Sequence, residues 1–126
     1  MARIEGTCRE VCDATEFVAI VTAGEDGPHV VGHWGSYMFL DIQEGLIAFP
    51  VGKYQKTEQN LRKNGRIQLL VASKKVQGTK SPGQGCLITG SAEIIATGEV
   101  VDAVRVKFPW ARGALVVRVE EWRTQL

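Results

Sequence analysis

Two segments rich in strand-forming residues, separated by a short turn, constrain the fold of this chain more than any other feature. Residues 17–22 (FVAIVT) and 29–34 (HVVGHW) carry β-branched and aromatic side chains, whereas residues 23–28 between them contain two glycines and a proline. Strand formers on both sides of a glycine- and proline-containing turn are typical of a β-hairpin. The sequence therefore predicts an antiparallel hairpin near the N-terminus.

The rest of the chain continues this β pattern, with short helices between the strands. Valine, isoleucine and leucine dominate the apolar segments, and glycine is frequent in the turns, which is typical of a small β-barrel. We expect further strands over residues 36–40, 46–51, 66–73, 86–97 and 114–119, and helices over residues 4–15, 58–63 and 99–106.

Several residues predict where these elements end or bend. Asn64 and Gly65 follow the second helix, and either accepts the left-handed conformation that ends many helices. Gly90 lies inside a long strand and predicts a bulge, while Pro109 ends the third helix. Residues 74–85 contain three lysines, three glycines and a proline, which predicts either a mobile surface loop or a lid.

Composition limits the classes of function. A chain of 126 residues with 44% hydrophobic content is expected to form one globular domain over residues 1–126. Fifteen basic and fourteen acidic residues give a net charge of +1, and the absence of a basic stripe argues against a nucleic-acid partner. Apolar runs far shorter than about 20 residues argue against a membrane role. The N-terminus lacks the apolar core of a secretion signal, so we expect a cytoplasmic protein with reduced thiols.

One region combines features that suit a phosphorylated aromatic cofactor. Residues 34–37 (WGSY) provide aromatic side chains, and Pro50 and Gly52 leave backbone accessible to a ligand. Lys56 and Thr57 precede a helix-favouring polar run, and free amides at a helix start attract anions. A flat ring and a phosphate could therefore bind at the two ends of this region.

Six motifs in order along the chain resemble a known family. They are residues 24–29 (GEDGPH), 34–37 (WGSY), 50–52 (PVG) with 56–58 (KTE), 82–85 (PGQG), 108–112 (FPWAR) with 114–116 (ALV), and the terminal Leu126. Together they resemble the FMN-binding split barrels related to pyridoxamine 5′-phosphate oxidase. Within that group, the chain is most similar to the small single-domain FMN-binding proteins of anaerobic bacteria.

The resemblance implies a mainly β fold, an antiparallel six-stranded split β-barrel with Greek-key topology and short flanking helices. It also implies a homodimer with FMN in a groove near the subunit interface, where Trp110 and Leu126 could reach the flavin of the partner. A barrel of this size fills its own interior with side chains, so a three-ring cofactor has to lie outside it. The family pattern assigns the flavin ring to Trp34, Tyr37, Pro50, Val51 and Gly52.

The resemblance assigns the phosphate to Lys56 and Thr57, with a further hydroxyl from Ser36. Two residues depart from the family pattern. His33 replaces a hydroxyl residue, and could either donate to the phosphate through a ring nitrogen or point elsewhere. Lys53 replaces a residue that tends to be glycine, and could either add positive charge or shift the loop.

Each site residue also has a simpler interpretation. Trp34 and Tyr37 are three positions apart, so on a regular strand they face opposite sides and one could be a core residue. Lys56 and Thr57 without their context would be an ordinary solvated helix start. The surrounding family pattern favours the binding interpretation.

The histidines and cysteines do not form a convincing metal or redox motif in the sequence. His29 and His33 could share a strand face, but a structural zinc site usually has four ligands. Cys8 and Cys12 would lie on one helix face, yet their spacing is not that of a dithiol enzyme. Together with Cys86, they are expected to be small buried residues, and we expect no metal site.

We therefore predict an FMN-binding redox protein that acts in electron transfer with an unknown redox partner or small-molecule donor. A small FMN-dependent reductase or oxidase is the alternative, and a non-enzymatic binding module for another planar cofactor, haem or a deazaflavin, is a further one. We assign no catalytic residues, since the sequence contains no hydrolase triad pattern and no dinucleotide-binding glycine fingerprint. Whether the protein is an enzyme stays open.

Overall fold

The computed structural model describes residues 2–126, which form seven antiparallel strands and three short α-helices. The strands are β1 (Phe17–Gly24), β2 (Gly27–Trp34), β3 (Phe39–Leu40), β4 (Leu46–Val51), β5 (Arg66–Gln77), β6 (Pro82–Ile95) and β7 (Gly113–Thr124). The helices are α1 (Gly6–Ala14), α2 (Gln55–Lys63) and α3 (Glu99–Lys107), and a 3₁₀ helix covers Gly35–Tyr37. The mainly β fold expected from the sequence is confirmed.

The strands form one sheet in the order β2-β1-β5-β6-β7-β4-β3. The predicted count of six strands is wrong, because the two-residue strand β3 pairs with β4 and adds a seventh. The sheet is also open rather than closed, since β2 and β3 form its two edges. This arrangement is consistent with a split barrel.

The predicted N-terminal hairpin is confirmed, and its turn is tighter than expected. Strands β1 and β2 pair in register from Phe17 opposite Trp34 to Gly24 opposite Gly27. Side chains of β1 alternate between buried and more exposed positions. Val18 is buried, whereas Phe17 and Ala19 on either side of it are more exposed, as expected for a strand with one face on the core. The hairpin therefore places Phe17 and Trp34 side by side at its open end.

The bulge predicted at Gly90 is confirmed. The pairing of β6 with β7 shifts register between Thr89 and Gly90. A Cβ atom at Gly90 would lie 2.0 Å from the carbonyl oxygen of Arg118, so the strands approach there more closely than a side chain allows.

The helices cover two groups of buried side chains. Helix α1 packs on β5, β6 and β7 and contributes Cys8, Val11 and Cys12 to the larger group. Helix α3 packs on β4 and β7 and contributes Val100, Val101 and Val104 to the smaller one, which also includes Phe108 directly after the helix. No helix within residues 2–126 is long and apolar enough to cross a membrane.

The strand predicted over residues 36–40 is shorter than expected. The backbone N–H of Gly35 donates to the carbonyl of Glu16 (2.9 Å), and a Cβ at Gly35 would lie 2.0 Å from the carbonyl oxygen of Thr15. This close packing turns the chain into the 3₁₀ helix, so strand structure resumes only at Phe39.

Residues 74–85 form neither the mobile loop nor the lid considered above, but the end of the β5–β6 hairpin. Val76 is buried in the core, which keeps β5 extended as far as Gln77. The turn is closed by a hydrogen bond from the N–H of Gly78 to the carbonyl of Ser81 (2.9 Å). The buried side chain of Val76 therefore determines the structure of this segment more strongly than its glycine- and lysine-rich composition does.

Helix α2 ends at Lys63, directly before the predicted stop at Asn64 and Gly65, but the left-handed conformation expected at one of these two residues is wrong. Asn64 is extended, with φ of −143°, and its side-chain oxygen accepts a hydrogen bond from the N–H of Arg66 (3.0 Å). The asparagine therefore connects α2 to β5 through its side chain rather than through an unusual backbone conformation.

Candidate functional site

The loop that joins β4 to α2 is held in a defined shape by Tyr54. This residue adopts a left-handed conformation with φ of 59°, which turns the chain from Val51 into α2. Its hydroxyl donates to the carbonyl of Gly32 on β2 (2.6 Å). Burial raises the pKa of Tyr54 above its usual value, so the phenol stays protonated as a donor. Residues 52–54 are thereby fixed against the end of β2.

His33 connects the same loop to β2 from inside the protein. The N–H of Trp34 donates to its Nδ1 (2.9 Å), so the ring proton is on Nε2, which donates to the carbonyl of Pro50 (2.8 Å). Burial lowers the pKa of His33, and the bond to Pro50 opposes this only in part. The neutral ring stacks on Phe49 and Tyr54, with centroids 5.3 and 5.6 Å away. Of the two roles left open for His33, the structure gives it an inward one, in which both nitrogens contact backbone atoms.

An aromatic cavity of about 460 Å³ lies between β2, the 3₁₀ helix and this loop. Trp34 meets Phe17 edge to face at 6.1 Å, and Tyr37 stacks on Phe108 at 4.5 Å and lies 6.4 Å from Trp110. The 3₁₀ helix explains how Trp34 and Tyr37 reach the same space, although a regular strand would separate them. The lining residues are Phe17, Gly32, His33, Trp34, Tyr37, Pro50, Gly52, Lys53, Tyr54 and Trp110.

Arg112 fixes the outer side of the loop. Its Nε donates to the carbonyl of Gly52 (3.0 Å), and its terminal nitrogen donates to the carbonyl of Lys53 (2.5 Å) and to the carboxylate of Glu58 on α2 (3.1 Å). Its backbone N–H donates to the carbonyl of Val51 (2.9 Å). The sequence analysis did not assign Arg112 to the site, because no local spacing indicates that an arginine 60 residues away contacts this loop.

Lys56 and Thr57 lie together in the first turn of α2. Lys56 is exposed, whereas the Thr57 hydroxyl is fully buried and has no hydrogen-bond partner within residues 2–126. Over the same described range, no side chain caps this helix start. A buried hydroxyl and free helix amides next to a lysine form a region that suits an anion. Both residues lie beyond the lining of the aromatic cavity.

Three of the residues that the sequence assigned to the flavin site do not line the aromatic cavity. Val51 is buried in β4. Ser36 is exposed on the 3₁₀ helix, where its carbonyl accepts a bond from Lys107 (3.3 Å). Leu126 lies on the β5–β6 hairpin, where its N–H and carbonyl bond the side chain of Gln84 (2.7 and 2.6 Å). Within one chain, Leu126 therefore belongs to a different surface from Trp34.

Comparison with known proteins gives a consistent family and fold. The model of the pyridoxamine 5′-phosphate oxidase family matches residues 4–126. The chain is 42% identical over 116 residues to the FMN-binding protein of Nitratidesulfovibrio vulgaris (strain DSM 19637 / Miyazaki F), which covers 92% of this chain and 93% of that protein.

Solved structures of similar fold are more distant in sequence. The H111A variant of HupZ from Group A Streptococcus superposes with a TM-score of 0.78 at 16% identity, covering 97% of this chain and 99% of that one. An FMN-binding protein from Syntrophomonas wolfei superposes with a TM-score of 0.69 at 14% identity, covering 94% and 83%. At these identities the likeness concerns the fold alone.

Proposed function

Because this chain belongs to the pyridoxamine 5′-phosphate oxidase family, we propose that it is an FMN-binding redox protein that acts in electron transfer and holds the flavin at a homodimer interface. The family resemblance expected from the sequence is confirmed by the family match and by the 42% identical FMN-binding protein. The cofactor is the part of the proposal that the family supports most directly, while the redox role and the assembly rest on the residues described below.

The observation that carries the proposal is an aromatic cavity connected by a short fixed loop to an unsatisfied helix start. Trp34, Tyr37 and Trp110 provide flat apolar surfaces, which suit the isoalloxazine ring. The volume of about 460 Å³ falls within the range of small-molecule sites. Pro50 and Gly52 line the other side, where backbone groups can meet the polar edge of the ring.

The phosphate fits the start of α2. Lys56 provides a charge, and the buried Thr57 hydroxyl, which lacks a partner among the described residues, provides a directional donor. An unpaired buried hydroxyl costs about 1–3 kcal/mol, and a phosphate oxygen would remove this cost. The positive end of the α2 dipole lies at the N-terminus of the helix, next to the proposed phosphate, and Arg62 and Lys63 lie at the opposite, negative end.

The lining of the cavity supports an electron carrier rather than an acid–base enzyme. FMN, when bound, supplies the electron chemistry itself. His33 is neutral and bonded to backbone through both nitrogens, and the Tyr54 hydroxyl is bonded to Gly32. These two titratable groups therefore hold the site together and are not positioned to exchange protons with a substrate.

An apolar outer face supports the homodimer. Ala19, Val21, Val30, Leu70 and Leu87 lie on one side of the sheet, because Val21 pairs with Val30 and Leu70 pairs with both Ala19 and Leu87. Val30 is 60% exposed and Leu70 is 39% exposed. Such a face is typical of an interaction surface.

The same face leads to the cavity, since Phe17 pairs with Trp34 at the end of the hairpin. Both residues are 52% exposed. A second copy seated on this face would therefore also cover one side of the flavin. The occupant that this continuity favours is another copy of the chain.

A small FMN-dependent reductase or oxidase is the second candidate. Trp34 and Trp110 are half exposed in the single chain (52% and 55%), so the cavity leaves room for a small substrate above a bound ring. Haem is a less suitable occupant, because His33, the histidine that lines the cavity, uses both ring nitrogens within the protein.

The test is to purify the protein, record its absorption spectrum and determine the mass of the molecule that heat releases. We expect a flavin spectrum and the mass of FMN. A haem or deazaflavin mass, or a protein that stays colourless with excess FMN, would contradict the proposal. Anaerobic mixing with NADH or NADPH then separates the two candidates, because rapid bleaching of the flavin favours a reductase and slow bleaching favours a carrier.

A further inference from the structure

The structure brings Cys86 next to Cys8 and Cys12, which the sequence already placed on one helix face. Cys8 and Cys12 lie on α1, and Cys86 lies on β6, which α1 covers. The Sγ atoms of Cys8 and Cys86 are 2.7 Å apart, and Cys12 lies one helical turn after Cys8 on α1. All three residues are free thiols and all are buried.

The two closest thiols differ in acidity. Hydrogen bonds with Cys12 and Cys86, together with burial, raise the pKa of Cys8. The hydrogen bond with Cys8 lowers the pKa of Cys86, as does a backbone bond from Arg123, although burial opposes both. Cys86 is therefore the member of the pair that ionises first, and its Sγ lies 2.7 Å from that of Cys8.

We propose that Cys8 and Cys86 are a redox-active pair that closes to a disulfide between α1 and β6 when the protein reacts with hydrogen peroxide. The Cys86 thiolate attacks one peroxide oxygen, the O–O bond breaks, and the departing hydroxide takes up a proton to give water. The Cys8 sulfur then attacks the resulting sulfenic acid, the S–O bond breaks, and the hydroxide leaves with the Cys8 proton as a second water. Two thiols lose two electrons and two protons, and the peroxide is reduced to water.

Cys12 is the third thiol and stays reduced in this scheme. It is four residues from Cys8 on the same helix, so a bond between them would distort α1. Cys86 lies on a separate strand that α1 covers, with its Sγ 2.7 Å from that of Cys8. The pairing is therefore selective.

Oxidant reaches the pair when α1 moves away from the sheet. The segment before α1 is held by the bond from the N–H of Ala2 to Val119 (2.8 Å) and by the bond from Trp122 to the carbonyl of Arg3 (2.9 Å). No side chain among the described residues caps the start of α1 at Glu5. The packing of Ile4, Cys8, Val11 and Cys12 in the core also holds this segment, so the pair reacts only when α1 opens locally, and the rate of oxidation should follow that opening.

The test is to treat the reduced full-length protein with hydrogen peroxide, denature it in N-ethylmaleimide and count the labelled cysteines by mass. We expect three labels before oxidation and one afterwards, with recovery of three after dithiothreitol. Trypsin cleavage after Arg9 separates Cys8 from Cys12, so peptide mapping identifies the linked pair directly. The expected product is a Cys8–Cys86 peptide with the label on Cys12.

Variants provide the matched control. Cys12→Ala is expected to lose both labels on oxidation. Cys86→Ala lacks the attacking thiol and keeps both of its labels, whereas Cys8→Ala stops at the sulfenic acid on Cys86 and gives no linked peptide. Three labels retained on the wild-type protein after peroxide treatment, or a linked peptide that contains Cys12, would overturn the proposal. Mapping on the wild-type protein decides the question even if an alanine variant fails to fold.

Discussion

At the scale of single residues, His33 is the clearest case of a side chain whose role the fold decides. Its sequence position suggested either a phosphate contact or an inward orientation. The structure places a neutral imidazole between two backbone segments, with Trp34 donating to one nitrogen and Pro50 accepting from the other. A hydroxyl residue is too short to bridge the same two segments, so the histidine connects β2 to β4 directly.

This arrangement predicts a loss of stability in acid. Burial lowers the pKa of folded His33 below 6.5, whereas the unfolded chain retains the ordinary value. Below about pH 6.5 the unfolded state therefore binds more protons, and the free energy of unfolding falls by up to about 1.4 kcal/mol per pH unit until the folded pKa is reached. Urea denaturation between pH 5 and 8 measures this slope. A His33→Gln variant with the same slope as the wild type would contradict the assignment.

Thr57 predicts opposite effects on folding and on binding. The Thr57→Val variant removes a buried hydroxyl that is unpaired within the described chain. The apoprotein should therefore keep its stability or gain up to about 1 kcal/mol, while FMN affinity falls by about 5-fold or more. Urea denaturation and an FMN titration on the same samples check both effects. A destabilised apoprotein with unchanged FMN affinity would assign the hydroxyl to the fold instead.

At the scale of elements, the loop between β4 and α2 depends on a residue from the far end of the chain. Arg112 bonds two loop carbonyls and the carboxylate of Glu58. We infer that this guanidinium keeps the ring-binding and phosphate-binding segments at a fixed separation, so Arg112 is a positioning residue.

Replacing Arg112 with alanine should lower FMN affinity by about 10-fold, because it removes three exposed hydrogen bonds that together contribute about 1–2 kcal/mol to the shape of the loop. The matched control is Arg66→Ala, which removes an exposed ion pair with Glu120 and should change stability by less than about 1 kcal/mol. FMN titration of both variants measures the difference. Equal affinities for the two would show that the loop keeps its shape without Arg112.

The elements that the sequence predicts well are those with strong local patterns. The hairpin follows from its alternation and turn, and α3 follows from Val100, Val101 and Val104 on one side. The predictions fail where a distant contact decides the local conformation. Thr15 turns the chain at Gly35, and burial of Val76 extends β5 through a segment that composition marks as a loop.

The candidate site was likewise predicted well where the sequence pattern is local and less well where distant residues meet. One cavity brings together four residues that the sequence predicted, namely Trp34, Tyr37, Lys53 and Trp110. Phe17 was not predicted, although the register of the hairpin, which places it opposite Trp34, provides the signal. The residues that line the cavity were therefore more accessible from the sequence than the contacts that hold them in place.

At the scale of the whole molecule, the apolar outer face predicts a dimer that a single charge disrupts. Leu70→Glu places a carboxylate in the centre of that face, where burial against a second copy is costly. Sedimentation equilibrium should show a dimeric wild-type protein and a shift to monomer in the variant. Val106→Glu is the control, because Val106 is 85% exposed on α3 and lies outside the face. A wild-type monomer, or a dimer unaffected by Leu70→Glu, would contradict this interface.

The central claim is that the chain anchors a phosphate at Lys56 and Thr57 while the attached ring lies beside Trp34. Titration of the apoprotein with FMN and with riboflavin tests it most directly, because the two ligands differ only in the phosphate. We expect FMN to bind about 100-fold more tightly, since two charge-assisted contacts contribute about 3 kcal/mol. Lys56→Glu should remove most of this preference, and Lys63→Glu, on the last turn of the same helix, should retain it. Equal affinity of the wild-type protein for the two ligands would contradict the account.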